Sequence, residues 1–252
     1  MDHAPIRAAD PMAARRSTRA MLAIAWVGGA VFVVSLAYFL YCYLGPFGWT
    51  AAGGSVLRPA AADGLLFSAF AFHHSFFART HAKAWIADRI PAPLERSIYT
   101  WVASLAFIAV CALWQPVPGL LYRWPAGWRL VAHGVEGAGI VLTVFGARAL
   151  DVLDLAGIRA VLRARTGAPP AHAPLSTTGV FRIVRHPLYF GWALFVWGAA
   201  DMTATRAVFA GVSCAYVAVA IVWEERGLVD TFGGDYEEYR RRVRWRMIPF
   251  VY

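Results

Sequence analysis

Leu22 to Leu44 is a run of 23 residues without a single charge. As a helix it rises about 34 Å at about 1.5 Å per residue, enough to cross a hydrocarbon layer about 30 Å thick. The run is too long for the apolar core of a cleaved leader, and further apolar blocks follow it, so it reads as the first of several membrane spans. With 59% hydrophobic and only 15% charged residues, the chain lies far from a soluble domain.

Six membrane segments are predicted, at roughly 21–44, 61–78, 97–115, 129–150, 187–200 and 206–224. The second is short and carries His73 and His74, which leaves a partly re-entrant course open, and the fifth is short enough to require tilt or local thinning. The expected fold class is an all-α polytopic transmembrane helix bundle. Its last two segments form a hairpin, with short interfacial helices and a C-terminal cytoplasmic tail. Residues 1–20 read as a basic arm, 21–150 as transmembrane segments 1–4, and 151–252 as the interfacial segment, hairpin and tail. Within the last part, Leu155 to Arg165 is expected to lie amphipathically on the interface, with Arg159, Arg163 and Arg165 toward headgroups.

Charge sets the orientation. With a cytoplasmic amino terminus, all but Arg58, Arg123, Arg129 and Arg206 of the 24 lysines and arginines fall on the cytoplasmic side. That bias accounts for the net charge of +9 without invoking nucleic acid, and the chain is expected in a cell membrane with its amino terminus cytoplasmic. Arg240, Arg241, Arg242, Arg244 and Arg246 are expected to rest against anionic headgroups. Cys42, Cys111 and Cys214 sit in three different apolar segments at spacings that suit neither a metal site nor a disulfide framework. Seven of the 11 tryptophans, at 49, 101, 114, 124, 128, 223 and 245, lie near predicted boundaries, as interfacial aromatics do.

Chemistry is to be sought where the last hairpin opens. Arg185-His186-Pro187-Leu188-Tyr189 precedes it and Glu224-Glu225 ends it, with mostly apolar sequence between. Pro187 suits the first turn of a helix, where its missing N–H costs nothing. Rises of roughly 21 Å for 187–200 and roughly 26 Å for 207–223 return the glutamates to the level of His186, if 201–206 turns the chain. The cluster then holds Arg182, Arg185, His186, Tyr189, Glu224 and Glu225, with Tyr236 and Tyr239 of a short following helix closing over it. Trp245, Ile248 and Phe250 are expected to fold the tail back over the mouth. Carboxylates at a membrane boundary are costly unless solvated or matched by cations, so such a pocket suits a zwitterionic cofactor with an extra positive centre.

Residues 178–191, Thr-Gly-Val-Phe-Arg-Ile-Val-Arg-His-Pro-Leu-Tyr-Phe-Gly, resemble the signature of the isoprenylcysteine carboxyl methyltransferase and phospholipid methyltransferase superfamily. Glu224-Glu225-Arg226-Gly227-Leu228, Phe232-Gly233, Tyr236, Tyr239, Val243 and Pro249 carry its second half, so the likeness covers about the last 75 residues. Upstream, residues 72–79 and 93–99, Leu153 to Arg159 and Asp201-Met202-Thr203 are similar to bacterial methanethiol S-methyltransferases and to proteins named for nitrite and nitric-oxide reductase clusters. His73 stands where Gln is more usual, and Leu188-Tyr189 where a more apolar pair is.

The resemblance implies an integral-membrane methyltransferase using S-adenosyl-L-methionine on its cytoplasmic side, with His186, Tyr189, Glu224 and Glu225 binding that cofactor. Arg185 or Arg182 suits a two-bond fork to the cofactor carboxylate. The expected acceptor is a small thiol such as methanethiol, and His73, His74 and Glu95 are the candidates for a base or acceptor site. A lipid-borne acceptor, either a phospholipid amine or an isoprenylcysteine carboxylate, is the first alternative. An NADPH-dependent membrane reductase and a non-enzymatic respiratory-complex accessory protein are the others. His133 and Glu136, one turn apart, are expected only to satisfy each other.

Overall fold

A computed structural model describes residues 11–77, 89–149, 151–166, 168 and 174–252. The expectations for residues 1–10, 78–79, 167 and 169–170 fall outside them. Among the described residues, four helices are long and apolar enough to cross a membrane, within Thr18–Gly48, Ala92–Leu113, Ala126–Arg148 and Ala204–Phe232. In chain order the long elements are α1 (Pro11–Leu44), α2 (Leu57–Phe77), α3 (Glu95–Leu113) and α4 (Ala126–Ala149). Two short helices follow, α5 (Val152–Leu155) and α6 (Ile158–Thr166). The chain closes with α7 (Pro187–Trp197), α8 (Ala204–Phe232) and α9 (Gly234–Arg242). The protein is an all-α polytopic membrane bundle, and its α1 begins inside what the sequence suggests is a loose arm.

The hairpin is built differently from expectation. Helix α7 spans only 11 residues and so rises about 16 Å. The chain then continues as an extended strand, β2 (Asp201–Thr203), which pairs antiparallel with β1 (Leu120–Arg123). Extended chain rises more than 3 Å per residue, so α7 and β2 together match the climb of α8 up to Glu224. Thr203 caps α8 by accepting from the Arg206 N–H, so the helix starts before the expected turn would have ended.

Arg206, which the charge pattern places at the non-cytoplasmic end, is buried. Its guanidinium donates to the Tyr43, Leu44 and Asp201 carbonyls at 2.8–3.2 Å. Two of these belong to the last turn of α1, whose carbonyls have no intrahelical donor and whose dipole end favours a cation. Beside it, Phe39, Tyr43, Phe47, Phe195 and Phe209 form the aromatic core between α1, α7 and α8, and Trp114 is buried there too, away from an interface.

Helices α4 and α7 cross at backbone contact. A Cβ on Gly191 would lie 2.5 Å from Thr143 Oγ1 and 2.7 Å from the Gly139 carbonyl, and one on Gly139 would strike the Phe195 and Gly191 backbone. Without a hydrophobic drive between helices in lipid, such small-residue seams provide the packing. Helix α6 buries Ile158 and Val161 against Ala25 and Leu94. Its Arg159 and Arg163 are engaged by Asp151 and Asp154 rather than left for headgroups. His133 and Glu136 do satisfy each other, at 2.8 Å.

Candidate active site

His186 lies outside the helical region, φ −121° and ψ 69°, consistent with the clash by which the ring of the following proline disfavours that region. Pro187 then opens α7, and Tyr189 returns to the same side, its ring stacked on His186 at 5.7 Å. The backbone N–H groups of Arg185 and His186 donate to the carbonyls of Trp245 and Arg246, at 2.9 and 2.8 Å. The tail therefore folds back along the motif, as Trp245, Ile248 and Phe250 suggest.

Glu225 lies at the centre. It accepts from Arg185 Nε at 2.6 Å and from Arg246 Nε at 3.1 Å, and His186 Nε2 stands 3.4 Å away. Arg185 also donates to the Val243 and Arg244 carbonyls, so its guanidinium is spent on holding the tail. Arg185 also lines the cavity, so the expected fork from it to a cofactor carboxylate would share the guanidinium with the tail. Arg182 is exposed and outside the cavity lining. Arg246, read from sequence as a headgroup contact, is instead the second cation on Glu225. Nothing in its spacing announces that role, because an irregular turn carries it there.

Glu224 differs from its neighbour. Its side chain is 43% exposed, accepts from the Tyr189 hydroxyl at 2.9 Å, and faces a cavity of about 240 Å³. The walls are His186 to Tyr189, Phe181, Leu175, Leu228, Phe232 and the two tyrosines of α9. Tyr239 donates to the Phe181 carbonyl at 2.7 Å, whereas the hydroxyl of Tyr236, 1% exposed, has no well-formed hydrogen bond. Burial pushes Tyr236 well above its usual range and Tyr239 up to about 12, so both remain protonated donors at neutral pH. A buried donor without a partner is costly, and in a cavity wall it marks a place for a ligand acceptor.

The upstream candidates lie elsewhere. The Tyr99 hydroxyl meets His74 Nδ1 at 3.0 Å, and Ser75 Oγ meets the Tyr216 hydroxyl at 3.1 Å. His73 packs on Phe77 and lines neither this cavity nor the one beside His74. Glu95 begins α3 and lines neither, while its neighbour Arg96 pairs with Asp154 at 2.6 Å. Tyr99 and Tyr216, which sequence reasoning passes over, connect this region to the bundle.

Fold and site together define a membrane-embedded protein whose last hairpin and tail enclose a polar-mouthed small-molecule cavity. The phospholipid methyltransferase family matches residues 163–235, which carry most of that cavity. Methanethiol S-methyltransferase 2 of Bradyrhizobium diazoefficiens is 34% identical over 230 residues, 89% of this chain and 88% of its own. Methanethiol S-methyltransferases of Crocosphaera subtropica and Pseudomonas deceptionensis are 35% and 32% identical, over 74% and 72% of this chain and 73% and 70% of theirs. No solved structure matches the chain. The chain belongs to the methanethiol S-methyltransferase family, within the wider group of membrane phospholipid methyltransferases. It is a multi-pass membrane methyltransferase, an enzyme that moves a methyl group from a donor to an acceptor.

Proposed function

We propose that the protein S-methylates a small thiol such as methanethiol, yielding a thioether such as dimethyl sulfide, with S-adenosyl-L-methionine as donor. The observation that carries this reading is the cavity under α9, where the Glu224 carboxylate faces inward and the buried Tyr236 hydroxyl lacks a partner. A carboxylate accepts from ribose hydroxyls or an ammonium and favours a nearby sulfonium, and a phenol donates to a carboxylate or ring nitrogen. That donor set fits the proposed donor molecule. When bound, it supplies an electrophilic methyl group.

The chain's own residues do the rest. Glu224, Tyr189 and His186 hold the polar end, and Tyr236 and Tyr239 close the outer wall. Arg185, Glu225 and Arg246 hold the tail that positions α9. Rate enhancement then comes mainly from alignment and exclusion of water. The arginine bias supports an orientation with the amino terminus and the cavity cytoplasmic, in the cell membrane.

The test is transfer of labelled methyl from S-adenosyl-L-methionine to a panel of thiols, phospholipids and prenylcysteine analogues. Label is expected in volatile thioether, and label only in extractable lipid would overturn the thiol reading. Glu224→Gln and His186→Ala should each weaken donor binding by at least tenfold while the protein still inserts. Wild-type affinity in both variants would refute the site.

A further inference from the structure

A second cavity, of about 330 Å³, opens between α1, α2 and α3. Phe32, Phe70 and Phe107 give it an apolar wall, and Arg96, Ser35, Thr100 and Ser104 join His74 and Tyr99 as its polar lining. Its inner end is tied to the first cavity through α8. The Tyr216 ring stands edge-on to His74 with centroids 6.4 Å apart, and its hydroxyl meets Ser75. Tyr216 precedes Glu224 on that helix by about 12 Å, and it lies within electrostatic reach of Glu224 and Tyr189.

One tautomer of His74 satisfies both contacts of the Tyr99 hydroxyl. The Tyr99 oxygen is 3.0 Å from His74 Nδ1 and 3.1 Å from the His74 carbonyl oxygen. The phenol has one proton, and a carbonyl can only accept, so that proton points to the carbonyl. The phenol oxygen must then accept from Nδ1–H. The lone pair of the neutral imidazole is left on Nε2, the nitrogen a base needs.

We infer that this second cavity admits the thiol from the apolar side and that His74 Nε2 is the general base that ionises it, with Tyr99 as the positioning residue. The inference rests on the thiol reading above. In the step, the S–H bond breaks and its proton goes to Nε2. The sulfur electron pair forms the new bond to the methyl carbon. The old carbon–sulfur bond of the sulfonium breaks with its electrons staying on the departing sulfur. The imidazolium later returns its proton to solvent. Thiolate is the nucleophilic form, and an alkyl thiol in an apolar chamber holds very little of it unaided.

Two thiols of different acidity, each variant's rate being compared with the wild-type rate on the same thiol, separate a base from a structural histidine. Methanethiol needs the base, whereas the more acidic trifluoroethanethiol is far more ionised near neutral pH. His74→Ala is expected to lower turnover of methanethiol by about 100-fold or more and of the acidic thiol by less than tenfold, with donor affinity unchanged. Tyr99→Phe, which keeps the ring, should show the same selectivity with a smaller loss, about tenfold on methanethiol. In donor-free wild-type protein, diethyl pyrocarbonate should modify His74, read by peptide mass spectrometry, and saturating ethanethiol should slow it. Equal losses on both thiols, no loss on either, or unprotected His74 overturns the inference while the thiol reading stands. A wild-type enzyme that methylates neither thiol overturns both.

Discussion

Arg185 and Glu225, 40 residues apart in sequence, meet at 2.6 Å with their side chains 6% and 5% exposed. Removing Arg185 takes from Glu225 the closer of its two arginines and leaves Arg246 to match it alone, at a cost of about 3 kcal/mol, the lower end for a broken buried pair. Arg185→Met should therefore lower the melting temperature in detergent markedly. Arg185→Lys should recover little, because an ammonium cannot reproduce a fork that reaches Glu225, Val243 and Arg244 together.

The tail is fastened at its last residue. Tyr252 donates its hydroxyl to the Ala218 carbonyl at 3.0 Å and accepts from Arg246 at 3.2 Å. Tyr252→Phe should cost about 1 kcal/mol and leave Arg246 bound to Glu225 alone. Hydrogen exchange of residues 243–252 should quicken before any change in α1 to α4. Unchanged exchange would deny the tail its dependence on that hydroxyl.

Gly191 has no room for a side chain, since Thr143 Oγ1 would be 2.5 Å from its Cβ. That hydroxyl already donates to the Gly139 carbonyl at 2.9 Å and cannot swing away freely. Gly191→Ala is expected to cost about 1–3 kcal/mol by forcing α4 and α7 apart, and Gly191→Val more. Because Pro187 and Tyr189 ride on α7, donor affinity should fall in parallel, whereas Gly211→Ala, with open space at its Cβ, should change neither.

At the far end of the bundle, hydrogen bonding from Arg129, then its charge and that of Arg123, hold the Asp201 carboxyl below its ordinary range. A carboxyl depressed on folding stabilises the fold above its unfolded value, and that contribution disappears as pH falls through the lowered folded value. Thermal stability should thus decline on acidification below the usual carboxylate range, and Asp201→Asn should flatten that decline. An unchanged slope in the variant would place the acid sensitivity elsewhere.

The spans and the polar clusters were legible because each is local. An uncharged run of 23 residues, a proline after histidine, and adjacent glutamates at the end of an apolar stretch state their roles within a few turns. Tyr236 and Tyr239 were legible too, spaced to share one face of α9, and both are buried there. The burial of Arg206 was not legible, because the carbonyls that satisfy it lie some 160 residues upstream, in the last turn of α1. The bend through β2 was missed because its pairing partner, β1, lies some 80 residues upstream.

Sequence by itself determined that the chain enters the membrane and which motif carries the cavity. Those properties follow from hydropathy, charge bias and residue spacing, all of which act over short stretches of chain. Tertiary structure alone decided that Glu225 binds two arginines while Glu224 faces the cavity, and that Arg246 rather than Arg182 completes the cluster. Neighbouring carboxylates are chemically identical in a sequence. They become different only when a helix turns one toward buried guanidinium groups and the next toward an open space.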